Sequence, residues 1–367
     1  MKRAGALAAI VVAGLTAMTW GAQQAAPPAG GREGGQGRGG GRGPGFPPVT
    51  APEKVADDLY MIPGQGGNTA AFITATGVVI VDTKLANNGE AIMNQVKTVT
   101  DKPVTMLINT HVHPDHNGSN SYFKAARPMI DVVTHVNTKK WVDSNAKADP
   151  AWQPTRTFGA DAKGNVRATD KTTIGKGKDQ IDLYYFGAGH TDGDAFVVFK
   201  ALRAMCIGDL MAWNMAPLID PATKGSVVAL PDTLEKAVNG IKNVDLVIEG
   251  HGNVNTWAGL KAYAEFSRAL LDVAKASLKK GEAQEQALAE LERNPKFAVF
   301  LKEELLKDLE YGGTPKSRAL INLYVAYQEL KGEPVTTNFA IPQRGGGPAR
   351  GAAPPGAPPA PGPGTGR

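Results

Sequence analysis

The stretch Val104-Thr105-Met106-Leu107-Ile108-Asn109-Thr110-His111-Val112-His113-Pro114-Asp115-His116 decides how the rest of this chain is read. Residues 104–109 predict a buried strand. The strand runs directly into three imidazoles and a carboxylate within six residues. Histidine is scarce, at 6 in 367 residues, so three in one hexapeptide form a cluster. Neutral imidazole and carboxylate together suit Zn²⁺. The spacing of His111 and His113 lets an extended or turning backbone aim both rings at one ion. Asp115 and His116 then point elsewhere, which suggests a second ion, and Pro114 stiffens the turn. The competing reading is a solvated polar loop.

Working outward, three more positions match. They are His190 in Gly187-Ala188-Gly189-His190-Thr191, Asp209 in Ile207-Gly208-Asp209, and His251 in Glu249-Gly250-His251-Gly252. Each comes at or just past the end of a predicted strand, beside a glycine that permits close backbone approach. One site then accounts for five of the six histidines. The sixth, His135, ends a strand without a ligand partner nearby and reads as structural. Cys206 sits inside an apolar run and reads as a buried small hydrophobe rather than a ligand.

Between these positions the pattern predicts mixed strands and helices. Residues 55–62, 70–74, 78–81, 129–134, 181–186, 195–199, 205–207 and 244–248 read as strands, the last of these being the last clear one. Residues 88–99 read as a short amphipathic helix on Ile92, Val96 and Val99. Residues 137–180 are polar and read as a helix plus a long loop, either a lid carrying Trp141 and Trp152 or a surface excursion. After Trp257 the texture is helical. One stripe holds Leu260, Tyr263, Phe266, Leu270 and Leu271, and another holds Phe297, Phe300, Leu301, Leu305 and Leu309. Thr314-Pro315 starts a last helix with Leu320, Leu323, Ala326 and Tyr327 on its apolar face. These helices face a core, a substrate wall or a dimer interface.

The order Val78 to Asp82, His111-x-His113-x-Asp115-His116, His190, Asp209, His251 resembles the metallo-β-lactamase-fold hydrolases over about residues 55–256. The resemblance implies an α/β fold, a four-layer αβ/βα sandwich, here with a C-terminal helical extension. It also implies a metal site at one edge, on loops following strands. By the same resemblance His111, His113 and His190 would bind one zinc, Asp115, His116 and His251 a second, and Asp209 would bridge the two. Asp82 would support the histidine loop from behind. Two zinc ions sharing a water of lowered pKa give hydroxide at neutral pH, which attacks a carbonyl or phosphorus centre. Asp115 would orient that nucleophile and shuttle its proton.

Departures from family patterns narrow the substrate. Di-iron relatives carry Glu where this chain has His113. Subclass B1 β-lactamases place Cys at the Asp209 position and lack the His116 equivalent, and subclass B3 enzymes share His116 but lack the bridging Asp. The site therefore looks more like glyoxalase II, lactonases and phosphodiesterases. A small ester, lactone or thioester is the expected substrate. β-Lactam hydrolysis comes second, ahead of a mono-iron persulfide dioxygenase or a non-catalytic zinc-binding protein. Trp213, Asn214 and Met215 either line the pocket or pack against the extension.

Composition sets the frame. The chain is 42% hydrophobic and 20% charged, so it is globular overall, but its 44 Gly and 26 Pro gather at the two ends. Residues 1–24 carry Lys2 and Arg3 ahead of an uncharged apolar run and read as a signal peptide. Residues 25–52 read as a disordered linker, 53–256 as the catalytic domain, 257–341 as the helical extension and 342–367 as a disordered tail. The net charge of +5 belongs to the ends: residues 1–52 carry +4 and the tail +3, leaving the body at −2. No nucleic-acid groove is expected. Export to the periplasm or medium is expected, with membrane contact only if the leader stays uncleaved. A lone Cys leaves the exported chain without an internal disulfide. The expected partner is a small-molecule substrate, and the sequence assigns no oligomeric state.

Overall fold

The computed structural model describes residues 46–144, 153–301 and 315–336. The predicted leader over 1–24, the linker as far as residue 45, Trp152, Leu305, Leu309, Thr314 and the tail over 342–367 lie outside the described residues.

The first half of the chain builds β1 (Glu53–Ala56), β2 (Leu59–Ile62), β3 (Thr69–Ile73), β4 (Val78–Val81), β5 (Val104–Ile108), β6 (Asp131–His135) and β7 (Arg156–Phe158). The helices α1 (Gly89–Lys97), α2 (Pro114–Asn117), α3 (Asn120–Ala126) and α4 (Val136–Ser144) lie between them. The second half adds β8 (Asp170–Ile174), β9 (Ile181–Tyr185), β10 (Phe196–Phe199), β11 (Ala204–Cys206), β12 (Leu246–Ile248) and β13 (Val254–Thr256). Its helices are α5 (Leu230–Gly240), α6 (Trp257–Lys280), α7 (Gln284–Glu292), α8 (Ala298–Leu301) and α9 (Pro315–Lys331).

β1 to β7 form one sheet in chain order, and β8 to β13 form a second in chain order. Both are mixed. β4, β5, β6 and β7 run parallel, as do β11 and β12, while the other neighbours are antiparallel.

Side chains alternate across these strands, and the alternation builds the layers. Leu59, Met61, Phe72, Val79 and Val81 from the first sheet meet Leu183, Tyr185, Val197, Phe199 and Cys206 from the second in one buried cluster. The other face of the first sheet, with Ile80, Val104 and Leu107, packs on Ile92 and Val96 of α1 and Phe123 of α3. The outer face of the second sheet, with Phe196, Val198, Met205 and Val247, packs on α5 to α9. Helices therefore cover both outer faces of two stacked sheets, the α/β sandwich with C-terminal helices that was expected.

Three local expectations differ. Residues 55–62 are two antiparallel strands, because the chain turns at Asp57-Asp58 with Asp58 at φ 61°. The polar 137–180 stretch contains β7 and β8, at the ends of the two sheets; edge strands need little apolar content, so they lack the pattern of buried ones. β13 follows the presumed last strand for the same reason, its residues Val254, Asn255 and Thr256 being half-buried or exposed at the other edge. Cys206 lies 3% exposed in the inter-sheet cluster, where burial pushes its thiol pKa up, as befits a packing residue.

Candidate metal centre

Parallel neighbours end side by side, so β4 and β5 deliver Asp82 and His111 to one edge while β11 and β12 deliver Asp209 and His251. His113 holds an extended backbone, as a residue before proline prefers, and Pro114 opens α2. That short helix turns Asp115 and His116 back toward the same edge. Gly208 adopts φ +52°, which lets the chain fold Asp209 inward directly after β11.

Two groups of potential ligands result, His111, His113, His190 and Asp209 in one, Asp115, His116 and His251 in the other. Within each group the ligand atoms lie inside 4.8 Å of one another, and all seven residues are buried. Asp209 faces both. Its Oδ2 is 3.6 Å from His190 Nε2, while its Oδ1 is 3.2 Å from His116 Nε2 and 3.5 Å from His251 Nε2. Asp115 Oδ2 is 3.2 Å from His251 Nε2.

Hydrogen bonds behind the rings set which nitrogen faces inward. His190 Nδ1 donates to the Leu218 carbonyl at 2.6 Å. His116 Nδ1 donates to Asp82 at 2.7 Å, and Asp82 also accepts from the Thr110 amide and hydroxyl. That hydroxyl, its proton given to Asp82, lies 3.0 Å from His111 Nδ1 as an acceptor. His113 Nε2 lies 2.8 Å from Asp220. The inward atoms are then His111 Nε2, His113 Nδ1, His190 Nε2 and His116 Nε2.

The inward atoms fit a cation. His113 Nδ1 and His190 Nε2 face each other at 2.8 Å with their outer nitrogens already committed, and His111 Nε2 has no hydrogen-bond partner among the described residues. Burial, then the surrounding imidazoles, push His111 well down, and burial and His113 push His190 down to about 4. These rings are held neutral, the form that binds metal. Burial works against charging His116 and His251 too, but the Asp209 and Asp115 carboxylates more than offset it and raise both. Imidazoles crowded with two carboxylates are the donor set that zinc takes.

The sequence profile of the Metallo-beta-lactamase superfamily matches residues 63–251. The chain belongs to the metallo-β-lactamase superfamily. As a member it is a metal-dependent hydrolase. A metallo-beta-lactamase type 2 of Bacillus sp. (strain 170) is 22% identical over 188 residues, 51% of this chain and 67% of the relative. Another metallo-beta-lactamase type 2, from Elizabethkingia meningoseptica, is 27% identical over 214 residues, 54% of this chain and 77% of the relative. Among solved structures, DIM-1 metallo-beta-lactamase superposes with a TM-score of 0.51 at 18% identity, covering 61% of this chain and 98% of that one. The fold is thus shared well beyond sequence similarity, while α6 to α9 lie past the matched residues.

In this metallo-β-lactamase superfamily member every sequence-predicted ligand comes to the one edge. Asp82 stands behind His116 as expected. His135 lies apart, its ring stacked on Tyr185 at 3.9 Å between centroids. Trp213 meets both the site and the extension, the two alternatives left open by the sequence. Its indole stacks on the His251 ring at 4.2 Å and 15°, and the Arg318 guanidinium of α9 lies 4.9 Å from the Trp213 ring centre. Trp141 ties α4 to the loop after His190 by donating to Asp192 at 2.7 Å. Asp220 and the Leu218 carbonyl went unforeseen, since an isolated Asp or a carbonyl in a loop carries no spacing signal. Lys84 was missed as well. It is fully buried and donates to the carbonyls of Ile62 (2.6 Å) and Gly67 (2.9 Å), holding the β2–β3 loop against the site. In that loop a Cβ on Gly67 would fall 2.2 Å from the His116 ring.

Proposed function

We propose that this chain is an exported zinc-dependent hydrolase of a small, uncharged ester, lactone or thioester. The observation that carries the reading is the Asp209 carboxylate, whose two oxygens face two separate ligand groups. His111, His113 and His190 would hold one zinc, Asp115, His116 and His251 another, with Asp209 touching both. Bound there, zinc supplies polarisation of the substrate carbonyl and a more acidic water.

The chain's own residues do the rest. Asp115 has a side chain 12% exposed against 2% for Asp209, so of these two it is the carboxylate nearer solvent. It takes the proton of the attacking water on a carboxylate oxygen and returns it to the leaving oxygen or sulfur. Beside His251 a cavity of about 210 Å³ is walled by Phe46, Met61, Pro63 and Trp213, room for an apolar acyl or alcohol group. Among the described residues Glu53 lines it and no Lys or Arg does, which disfavours a substrate bearing a carboxylate.

The second reading is β-lactam amide hydrolysis, favoured by the two relatives, each a metallo-beta-lactamase. β-Lactam drugs carry a carboxylate that Glu53 would repel. Lys2, Arg3 and the apolar run behind them support a leader over 1–24 and a periplasmic or secreted protein, with the catalytic domain over 53–256 and the extension over 257–341. No helix among the described residues is long and apolar enough to cross a membrane.

A hydrolysis panel tests the reading. An aryl ester, a lactone, a thioester and a chromogenic cephalosporin are assayed on the zinc-loaded chain, each with and without chelator. Chelator-sensitive turnover of an ester, lactone or thioester is expected. Faster turnover of the cephalosporin would replace the proposal by its rival, and turnover indifferent to chelation would end both.

A further inference from the structure

We infer that α9, in the helical extension, is a clamp that positions the His113 and His190 half of the metal centre. The inference rests on the ligand assignment proposed above.

The loop between β11 and α5 wraps His190. The Asp220 amide donates to the His190 carbonyl at 2.9 Å, and the Ser226 amide donates to the Gly189 carbonyl at 2.9 Å. The same loop provides the Leu218 carbonyl that receives His190 Nδ1–H and the Asp220 carboxylate against His113 Nε2. The orientation of both rings therefore follows the position of this one loop.

The loop is held from outside by one face of α9. Asn322 Nδ2 donates to the Pro217 carbonyl at 2.8 Å, one residue before Leu218. Glu329 accepts from the Ser226 hydroxyl at 2.5 Å and from the amides of Val227 and Val228 at 3.0 and 3.1 Å. Arg318 lies over Trp213, which stacks on His251 of the other ligand group, so the contacts of α9 that bear on His113 and His190 are those of Asn322 and Glu329. Spacings of four and seven residues put Arg318, Asn322 and Glu329 on one helix face. Arg318 and Asn322 are 0% exposed. Polar groups cost free energy in a helix's inner face unless bonded, and apolar residues there would serve packing alone. The place of Asn322 in α9 is explained by the loop it holds. Groups that orient a ligating histidine from outside govern metal affinity, typically by 10–100-fold on mutation.

Glu329 is the residue to change, since it is half-buried and its loss leaves the apolar face of α9 intact. In the full chain, zinc affinity is measured by competition with a chromogenic chelator, alongside the absorption spectrum of the cobalt-loaded protein. Glu329→Ala is expected to weaken one of the two ions about tenfold and to shift the cobalt spectrum, with the second ion unaffected. Glu329→Gln, which keeps one acceptor oxygen, should fall between. Hydrogen exchange in the metal-free chain reads the clamp without any ion: the Asp220 and Ser226 amides should exchange faster in Glu329→Ala. A parent chain that binds fewer than two ions would sink the ligand assignment, while the exchange rates still judge the clamp. Unchanged exchange, or equal weakening of both ions, overturns it.

Discussion

His113 Nε2 lies 2.8 Å from the Asp220 carboxylate, although 107 residues of chain separate them. The pair fixes which ring nitrogen of His113 faces His190, because the other is occupied. Asp220 is itself pinned: its Oδ2 accepts from the Thr223 hydroxyl at 2.8 Å and its Oδ1 from the Ala222 amide at 3.0 Å. Burial tends to raise its pKa, but the His113 contact prevails and holds it at about 2. Asp220→Ala should therefore weaken binding of one zinc by roughly 10–100-fold, with Asp220→Asn between the two. Equilibrium dialysis against a zinc buffer checks this, and parent-like affinity in both variants would count against the pair's role.

The two ligand groups predict a divided response to mutation. His113→Ala removes a ligand from one group and His251→Ala from the other, so each should lower bound zinc from two equivalents toward one. Asp209→Ala takes an oxygen from both and should reduce zinc further than either. Metal analysis of the dialysed variants decides, and equal losses in all three would argue for a single undivided site.

Gly250 has no room for a side chain. A Cβ there would fall 1.9 Å from Asp209 Oδ1 and 2.6 and 2.8 Å from the Gly208 carbonyl carbon and the Asp209 nitrogen, far inside contact distance. Gly250→Ala should consequently push the shared carboxylate off its position, cutting zinc content and activity together while leaving the sheets intact. Far-UV circular dichroism and zinc analysis separate these effects. Full zinc retention would mean that the carboxylate has slack that its packing does not suggest.

His135 predicts a pH effect remote from the metal. Burial pushes its pKa down from 6.5 to about 4. The unfolded chain takes up a proton below pH 6.5 that the folded chain refuses until about pH 4. Stability contributed by this group is therefore complete above pH 6.5 and is lost as pH falls toward 4, by on the order of 3 kcal/mol. His135→Asn should be less stable at pH 7 because a buried ring is lost. Its further decline between pH 6.5 and 4.5, followed by urea unfolding, should be shallower than the parent's. Parallel curves would refute the assignment.

The sequence by itself determined the buried strands and the clustering of the candidate ligands. Residues 78–81 and 195–199 mark strands buried on both faces because their apolar runs are unbroken, and such a run is a property of neighbours in sequence. His111, His113, Asp115 and His116 declare a metal site for the same reason: one local turn at the end of β5 places all four. Edge strands β7, β8 and β13 escaped that reading, since a strand paired on one side needs few apolar residues. What only the tertiary structure decided is how the ligands are held. Asp220 behind His113, Leu218 behind His190, Trp213 against His251 and Glu329 beneath the loop act across long stretches of chain. A single carboxylate, carbonyl or indole in a loop leaves no periodic trace in sequence, and its meaning comes from the backbone that folding brings beside it.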